Sequence, residues 1–284
     1  MKKVLISDKL ATDGINYLKA QNDIEIHFET GLSEEALCEI IGEFDALLIR
    51  SDTQVTPKLL QAAKKLTLIG RAGIGVDNVD IAAATEMGVI VMNTPDANAT
   101  TTAELTIGHL MSLSRHLPAA NQSVRAGKWE RSKYTGSEIA QKTIGIVGFG
   151  TIGRLVASRA AVLKMNVIAF DPFVSPDIYT DLGVESVSLE DLIARSDYIT
   201  LHCPLIEKTR NIISTAQFEK MKSNAMLINC ARGGLIDELA LYDALKSKKI
   251  AGAALDVFEV EPPVSSPLLE LDNIVFTPHL GAST

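Results

Sequence analysis

Cysteine is scarce in this chain. Only Cys38, Cys203 and Cys230 occur among 284 residues, odd in number and scattered. That pattern excludes a disulfide scaffold and offers no metal-ligand spacing, so no metal site is expected, and a reducing, cytoplasmic setting is. Long apolar runs are missing too. The start, Met1-Lys2-Lys3, leads into Val4-Leu5-Ile6-Ser7 and then Asp8, an apolar run too short for a signal peptide. No run reaches the ~20 residues of a membrane span. Basic charge is not in surplus: 27 Lys and Arg face 35 Asp and Glu, a formal net charge of −8. Neither nucleic acid nor an anionic membrane is expected as the main partner. Low-complexity tracts are absent. What remains is an ordinary globular composition, 46% hydrophobic and 22% charged, long enough for two domains.

One stretch organises the rest. Residues 143–147 are a short apolar run that reads as a buried parallel strand. Gly148, Gly150 and Gly153 then give Gly-x-Gly-x-x-Gly, with Thr151 and Ile152 at the intervening positions. Residues 155–164 carry apolar side chains at helical spacing, and 167–170 form a second strand ending on Asp171. Asp171 follows the third glycine at close to the ~20 residues of a dinucleotide-binding unit. Gly148 permits the tight turn, Gly150 lets a pyrophosphate approach the backbone, and Gly153 lets helix and strand pack closely. The helix N-terminus offers N–H groups and a positive dipole end to phosphate. Asp171 can accept from both ribose hydroxyls and repels a 2′-phosphate, so NAD is expected rather than NADP.

Strand and helix alternate elsewhere. Strands are expected at 4–7, 24–28, 46–49, 66–70 and 89–92, with helices over 9–20, from Ser33 and from Thr56-Pro57. This alternation implies a parallel sheet covered on both faces. Arg50 and Arg71 end two of those strands, at the edge where open α/β sheets bind ligands. Paired guanidiniums there suit a carboxylate or phosphate better than two unrelated surface arginines. A long helix begins at Asn98 or Thr100, so the expected domains are 1–97 and 98–284. Residues 118–138 read as a helix tail and a solvated loop, with Lys128, Arg131 and Lys133 around the only tryptophan, Trp129. His109 and His116 read as packed or surface residues rather than ligands.

Beyond the glycines, expected strands at 198–201, 225–229, 250–255 and 274–276 end on polar residues: His202-Cys203-Pro204, Cys230-Ala231-Arg232, Asp256 and Thr277-Pro278-His279. That edge is the expected site. Oxidising a hydroxyl needs a base near neutral pH, and His279 is the candidate. Glu261 could accept from the far ring nitrogen, and Arg232 could clamp a substrate carboxylate. Taken singly, Arg232 also suits a loop ion pair, Glu261 a solvated acid and His279 a strand-end cap.

These residues carry a resemblance. The stretches 71–80, 148–153, 229–234, 256–262 and 277–284 together resemble the D-2-hydroxyacid dehydrogenases, over essentially the whole chain. Residues 127–138 are similar to the subgroup that oxidises 3-phospho-D-glycerate, the first step of serine synthesis. The resemblance implies an α/β chain with a Rossmann-type dinucleotide-binding domain and a smaller flavodoxin-like α/β substrate domain. It implies Arg232, Glu261 and His279 as the catalytic set. Arg50, Ser51, Arg71, Gly73 and Asn98 would line the substrate site, and Lys133 or Arg131 would reach the phosphate, from a partner subunit of a homodimer formed through the cofactor domain. Ile74, Cys203, Pro204, Cys230, Ala231, Asp256, Gly281 and Ala282 would join the glycine loop and Asp171 around NAD.

Some departures stand out. Ile74 and Cys203 occupy positions where relatives often carry a hydroxyl, and Asp96-Ala97 replaces a commoner Asn-Gly. Relatives continue past residues 281–284 into a helix crossing back to the first domain, whose absence here is expected to leave apolar surface uncovered. Alternatives are another dehydrogenase of the family, such as a hydroxypyruvate or glyoxylate reductase, and a non-catalytic NAD-sensing protein of the same fold.

Overall fold

The computed structural model describes residues 1–95 and 97–284; Asp96, noted above, lies outside the described residues. The chain divides into two compact units, Met1–Asn98 and Ala99–Thr284.

The first unit runs β1 (Lys2–Ile6), α1 (Thr12–Lys19), β2 (Ile24–Phe28), α2 (Glu34–Ile40), β3 (Ala46–Ile49), α3 (Pro57–Ala62), β4 (Leu68–Arg71), α4 (Ile81–Glu86) and β5 (Ile90–Asn93). Its sheet is parallel, in the order β2-β1-β3-β4-β5, the flavodoxin-like doubly wound order. Side-chain caps start α2, α3 and α4, though not α1. Ser33 accepts from Ala36 N, Thr56 from Leu59 N with Pro57 at the first turn, and Asp80 from Ala83 N. Leu5, Leu47, Ile49 and Ile69 from the strands meet Ile41, Leu59 and Leu60 in one buried core. The helix expected over 9–20 begins only at Thr12.

The second unit runs α5 (Ala99–Arg115), α6 (Leu117–Arg125), β6 (Thr143–Val147), α7 (Thr151–Val162), β7 (Asn166–Phe170), α8 (Pro176–Asp181), β8 (Glu185–Ser186), α9 (Leu189–Arg195), β9 (Tyr198–Leu201), α10 (Thr215–Lys220), β10 (Met226–Asn229), α11 (Glu238–Lys246), β11 (Gly252–Leu255) and β12 (Ile274–Phe276). Its parallel sheet has the order β12-β11-β10-β9-β6-β7-β8. The strand order reverses at β6, beside β9, which makes the glycine loop after β6 the topological switch point. Neighbouring strand residues feed opposite cores, as a period of two requires. Val147, Ile199 and Leu227 pack on one side, and Ile146, Tyr198 and Ile228 on the other.

What was expected as a helix tail is a separate helix, α6. His116 takes φ 51 and Pro118 follows in the first turn, where it cannot continue the preceding hydrogen-bond ladder. Among the described residues no helix is long and apolar enough to cross a membrane.

Candidate functional site

The C-terminal edge of the second sheet carries the expected constellation. Val147 delivers the chain into Gly148, at φ 94, where an added Cβ would stand 2.6 Å from Cys203 N. A Cβ on Gly153 would stand 2.2 Å from Gly148 O, so the first turn of α7 sits directly on the loop. A Cβ on Gly150 would meet nothing within 4 Å. That position is an open cradle, and α7 starts there without a side-chain cap for its N–H groups. Half-buried Asp171 accepts from Phe149 N at 2.8 Å and Phe173 N at 2.9 Å. Each of its oxygens keeps a second lone pair for a ribose hydroxyl. Below it, buried Phe149 stacks on Tyr179, centroids 4.7 Å apart, and the Tyr179 hydroxyl donates to Asp171 O at 3.2 Å. A cradle that a Cβ would fill, an uncapped helix start and an acid at the next strand end fit a dinucleotide.

A second cluster lies at the ends of β10, β11 and β12. Asn229 shapes the turn after β10: its Nδ2 donates to Arg232 O at 2.8 Å and its Oδ1 accepts from Ala231 N at 3.0 Å. Half-buried Arg232 donates from Nη1 to Ala231 O at 2.6 Å. A Cβ on Gly233 would stand 1.8 Å from Phe258 O, so the segment carrying Glu261 lies flat on this turn. Glu261 Oε1 accepts from Phe258 N at 3.0 Å, and Oε2 pairs with His279 Nδ1 at 2.8 Å. His279 Nε2 is the nitrogen left for a substrate.

His279 itself has φ 53, in the left-handed region. Asp256, fully buried, holds the segment in that shape. Its Oδ1 accepts from the Thr277 hydroxyl at 2.5 Å and Leu280 N at 2.7 Å, its Oδ2 from Gly281 N at 2.8 Å, and its carbonyl from His279 N at 2.9 Å. The bond to Glu261 lifts the His279 pKa above its ordinary value against the opposing effect of burial, with the Asp256 charge helping and Arg232 opposing. Burial pushes the Glu261 pKa up, but the bonds from His279 and Phe258 N outweigh it and leave the carboxyl below its ordinary value.

Cys203 and exposed Pro204 follow β9, and Cys230 directly follows β10. Burial pushes the Cys203 thiol up to about 11 and the Cys230 thiol up to about 12, so neither is a nucleophile. Ala231 and Ala282 are half-buried and Gly281 is buried. Arg131 and Lys133 are exposed on a 3₁₀ turn, Arg131–Tyr134, which the Ser123–Glu130 bond ties back to α6.

In the first unit, Arg50 and Ser51 are exposed after β3. Buried Asp8 holds their loop, accepting from Arg50 N at 2.6 Å and the Thr53 hydroxyl at 2.6 Å, and Asn78 Nδ2 donates to Arg50 O and Thr53 O. Arg71 ends β4 and lies over Gly73; Ile74 O accepts from Asn93 Nδ2 at 2.6 Å, and Asn98 ends the unit. Asn229, Thr277 and Asp8 were not singled out from the sequence. Asn229 had a readable signal, an Asx turn at a strand end before two glycines; Thr277 shows only as a polar strand end, and the roles of Thr277 and Asp8 had no signal, because their partners are distant in the chain.

The family model described as D-isomer specific 2-hydroxyacid dehydrogenase, NAD binding domain, matches residues 107–281. A D-3-phosphoglycerate dehydrogenase of Methanocaldococcus jannaschii is 49% identical over 285 aligned residues, covering 100% of this chain and 54% of the relative. One of Archaeoglobus fulgidus is 47% identical over 283, covering 99% and 54%. The chain thus spans about half the length of the curated relatives it matches. A solved glyoxylate reductase from Paecilomyes thermophila superposes with a TM-score of 0.92 at 32% identity, covering 100% of this chain and 89% of that one.

Proposed function

The chain belongs to the D-isomer specific 2-hydroxyacid dehydrogenase family, and from that premise we propose that it oxidises 3-phospho-D-glycerate to 3-phosphohydroxypyruvate with NAD, the entry step of serine synthesis. The observation that carries this reading is the 2.8 Å pair of His279 Nδ1 and Glu261 Oε2, on the same sheet edge as the glycine loop. When bound at Gly148, Gly150, Thr151, Ile152, Gly153 and Asp171, NAD supplies the hydride acceptor. The chain's own residues do the rest. Arg232 holds the substrate carboxylate and fixes the carbon to be oxidised. His279 Nε2 takes the hydroxyl proton as the hydride leaves that carbon. Glu261 stabilises the imidazolium formed and fixes the tautomer.

Asp256, Cys203, Pro204, Cys230, Ala231, Gly281, Ala282 and Ile74 line the cofactor's surroundings, and Asp256 also holds the 277–281 segment. Arg50, Ser51, Arg71, Gly73 and Asn98 serve the substrate, and Arg131 or Lys133 meets the phosphate of a homodimeric partner's substrate. The three free thiols suit a reducing cytoplasm. Substrate choice is tested by supplying NAD with 3-phosphoglycerate and a trap for the keto product. NADH formation supports the reading. The glyoxylate reductase likeness motivates the competing arm: no NADH from 3-phosphoglycerate, with NADH-dependent reduction of glyoxylate or hydroxypyruvate, moves the substrate to another 2-hydroxy acid.

A further inference from the structure

Helix α5 buries a polar stripe. Thr102, Thr106, His109 and Ser114 are all under 9% exposed on a helix whose other buried positions are mainly apolar. Burying such groups costs free energy unless each is hydrogen-bonded. Thr106 and Ser114 bond back to carbonyls of their own helix, Thr102 O and Leu110 O. Thr102 and His109 do something else: both reach the segment that carries His279. Thr102 Oγ1 donates to Gly281 O at 2.8 Å, and His109 Nε2 lies 3.0 Å from Thr277 Oγ1.

The proton order along this chain follows from counting. An ionised carboxylate can only accept, so the Thr277 hydroxyl proton is committed to Asp256 at 2.5 Å. Thr277 Oγ1 must then accept from His109, which fixes His109 as the Nε2–H tautomer. Burial lowers the His109 pKa, against the pull of the Asp256 charge, and so favours the neutral ring with that single N–H. The relay therefore runs one way, from His109 to Thr277 to Asp256, whose carboxylate also takes the N–H groups of Leu280 and Gly281, the two residues that follow the strained His279.

We propose that His109 is a positioning residue for His279, acting through the Thr277 hydroxyl and the Asp256 carboxylate to hold the 277–281 segment in its left-handed turn. The proposal rests on the reading of His279 as the proton acceptor, and its test separates the two. In the full chain, His109→Leu removes the donor while keeping an apolar occupant; His109→Gln places an amide N–H where Nε2–H was. We expect His109→Leu to lower kcat roughly three- to ten-fold, the scale of one neutral hydrogen bond, with both KM values within about two-fold. The His279 titration, followed by NMR without substrate, should fall toward the ordinary histidine value, because its bond to Glu261 is less well held. His109→Gln should restore both readouts, and Thr277→Val should reproduce the loss while Thr277→Ser does not; the Thr277 pair decides the matter if His109→Leu fails to fold. A His279 titration unchanged in His109→Leu or Thr277→Val, or His109→Gln folding but behaving as the Leu variant, overturns the proposal. Wild-type protein inert toward every 2-hydroxy acid would sink the dehydrogenase reading instead, while the titration still decides the positioning role.

Discussion

At the scale of single residues, His279 shows how much surrounding structure one side chain needs. A non-glycine residue at φ 53 costs about 1–3 kcal/mol, and it persists because Asp256 gathers four bonds from the same segment. The neighbouring carboxylate then sets the chemistry. Glu261 raises the His279 pKa, and a base must be unprotonated to accept a proton. The rate of oxidation should therefore rise with pH through a pKa above the ordinary histidine value, and reduction should fall through it. Glu261→Gln removes the stabilising charge, so the rising limb of kcat/KM should move to lower pH while kcat falls; initial rates of NADH formation across pH check this. His279 and Arg232 are legible as polar residues at strand ends, and Glu261 as an acid able to reach the ring. The brace behind them was not, because the bonds of Asp256 join segments that no local pattern connects.

At the scale of elements, the glycine loop separates two roles that its spacing alone merges. A methyl on Gly153 collides with the Gly148 carbonyl, whereas one on Gly150 enters open space. Gly153→Ala should lower stability by a few kcal/mol, the scale of an overpacked core site. Gly150→Ala should leave the melting temperature of the free protein within a few degrees of wild type yet weaken NAD binding at least ten-fold. Thermal melts and NADH fluorescence titration read the two effects. The β6-α7-β7 unit could be read from sequence because its signals are contiguous. Periodicity does not register in six residues, so α4 and α8 left no pattern, and α3, equally short, was legible only through its Thr56-Pro57 start. The break at His116 is hidden in the sequence although Pro118 marks it, because the apolar pattern runs on through it.

At the scale of the whole molecule, strand and helix alternation announced two parallel sheets, while strand order depends on crossover connections that no window of sequence contains. Each unit buries a core of its own: Leu5, Leu47 and Ile69 in the first, and two clusters flanking the sheet in the second. The glycine loop and Asp171 belong to the second unit. Calorimetry of the full chain should show NAD at 100 times its Kd stabilising that unit by about 2.7 kcal/mol, with a smaller shift for any transition belonging to the first.

The central claim is that the imidazole of His279 moves the proton in a NAD-coupled oxidation. Steady-state turnover of His279→Ala against wild type, with NAD and 3-phosphoglycerate both saturating, measures it most directly. The variant's kcat should be lower by roughly 10²–10⁴-fold, with KM changed far less. A variant that turns over at the wild-type rate, or one that loses substrate affinity and keeps its kcat, would contradict it.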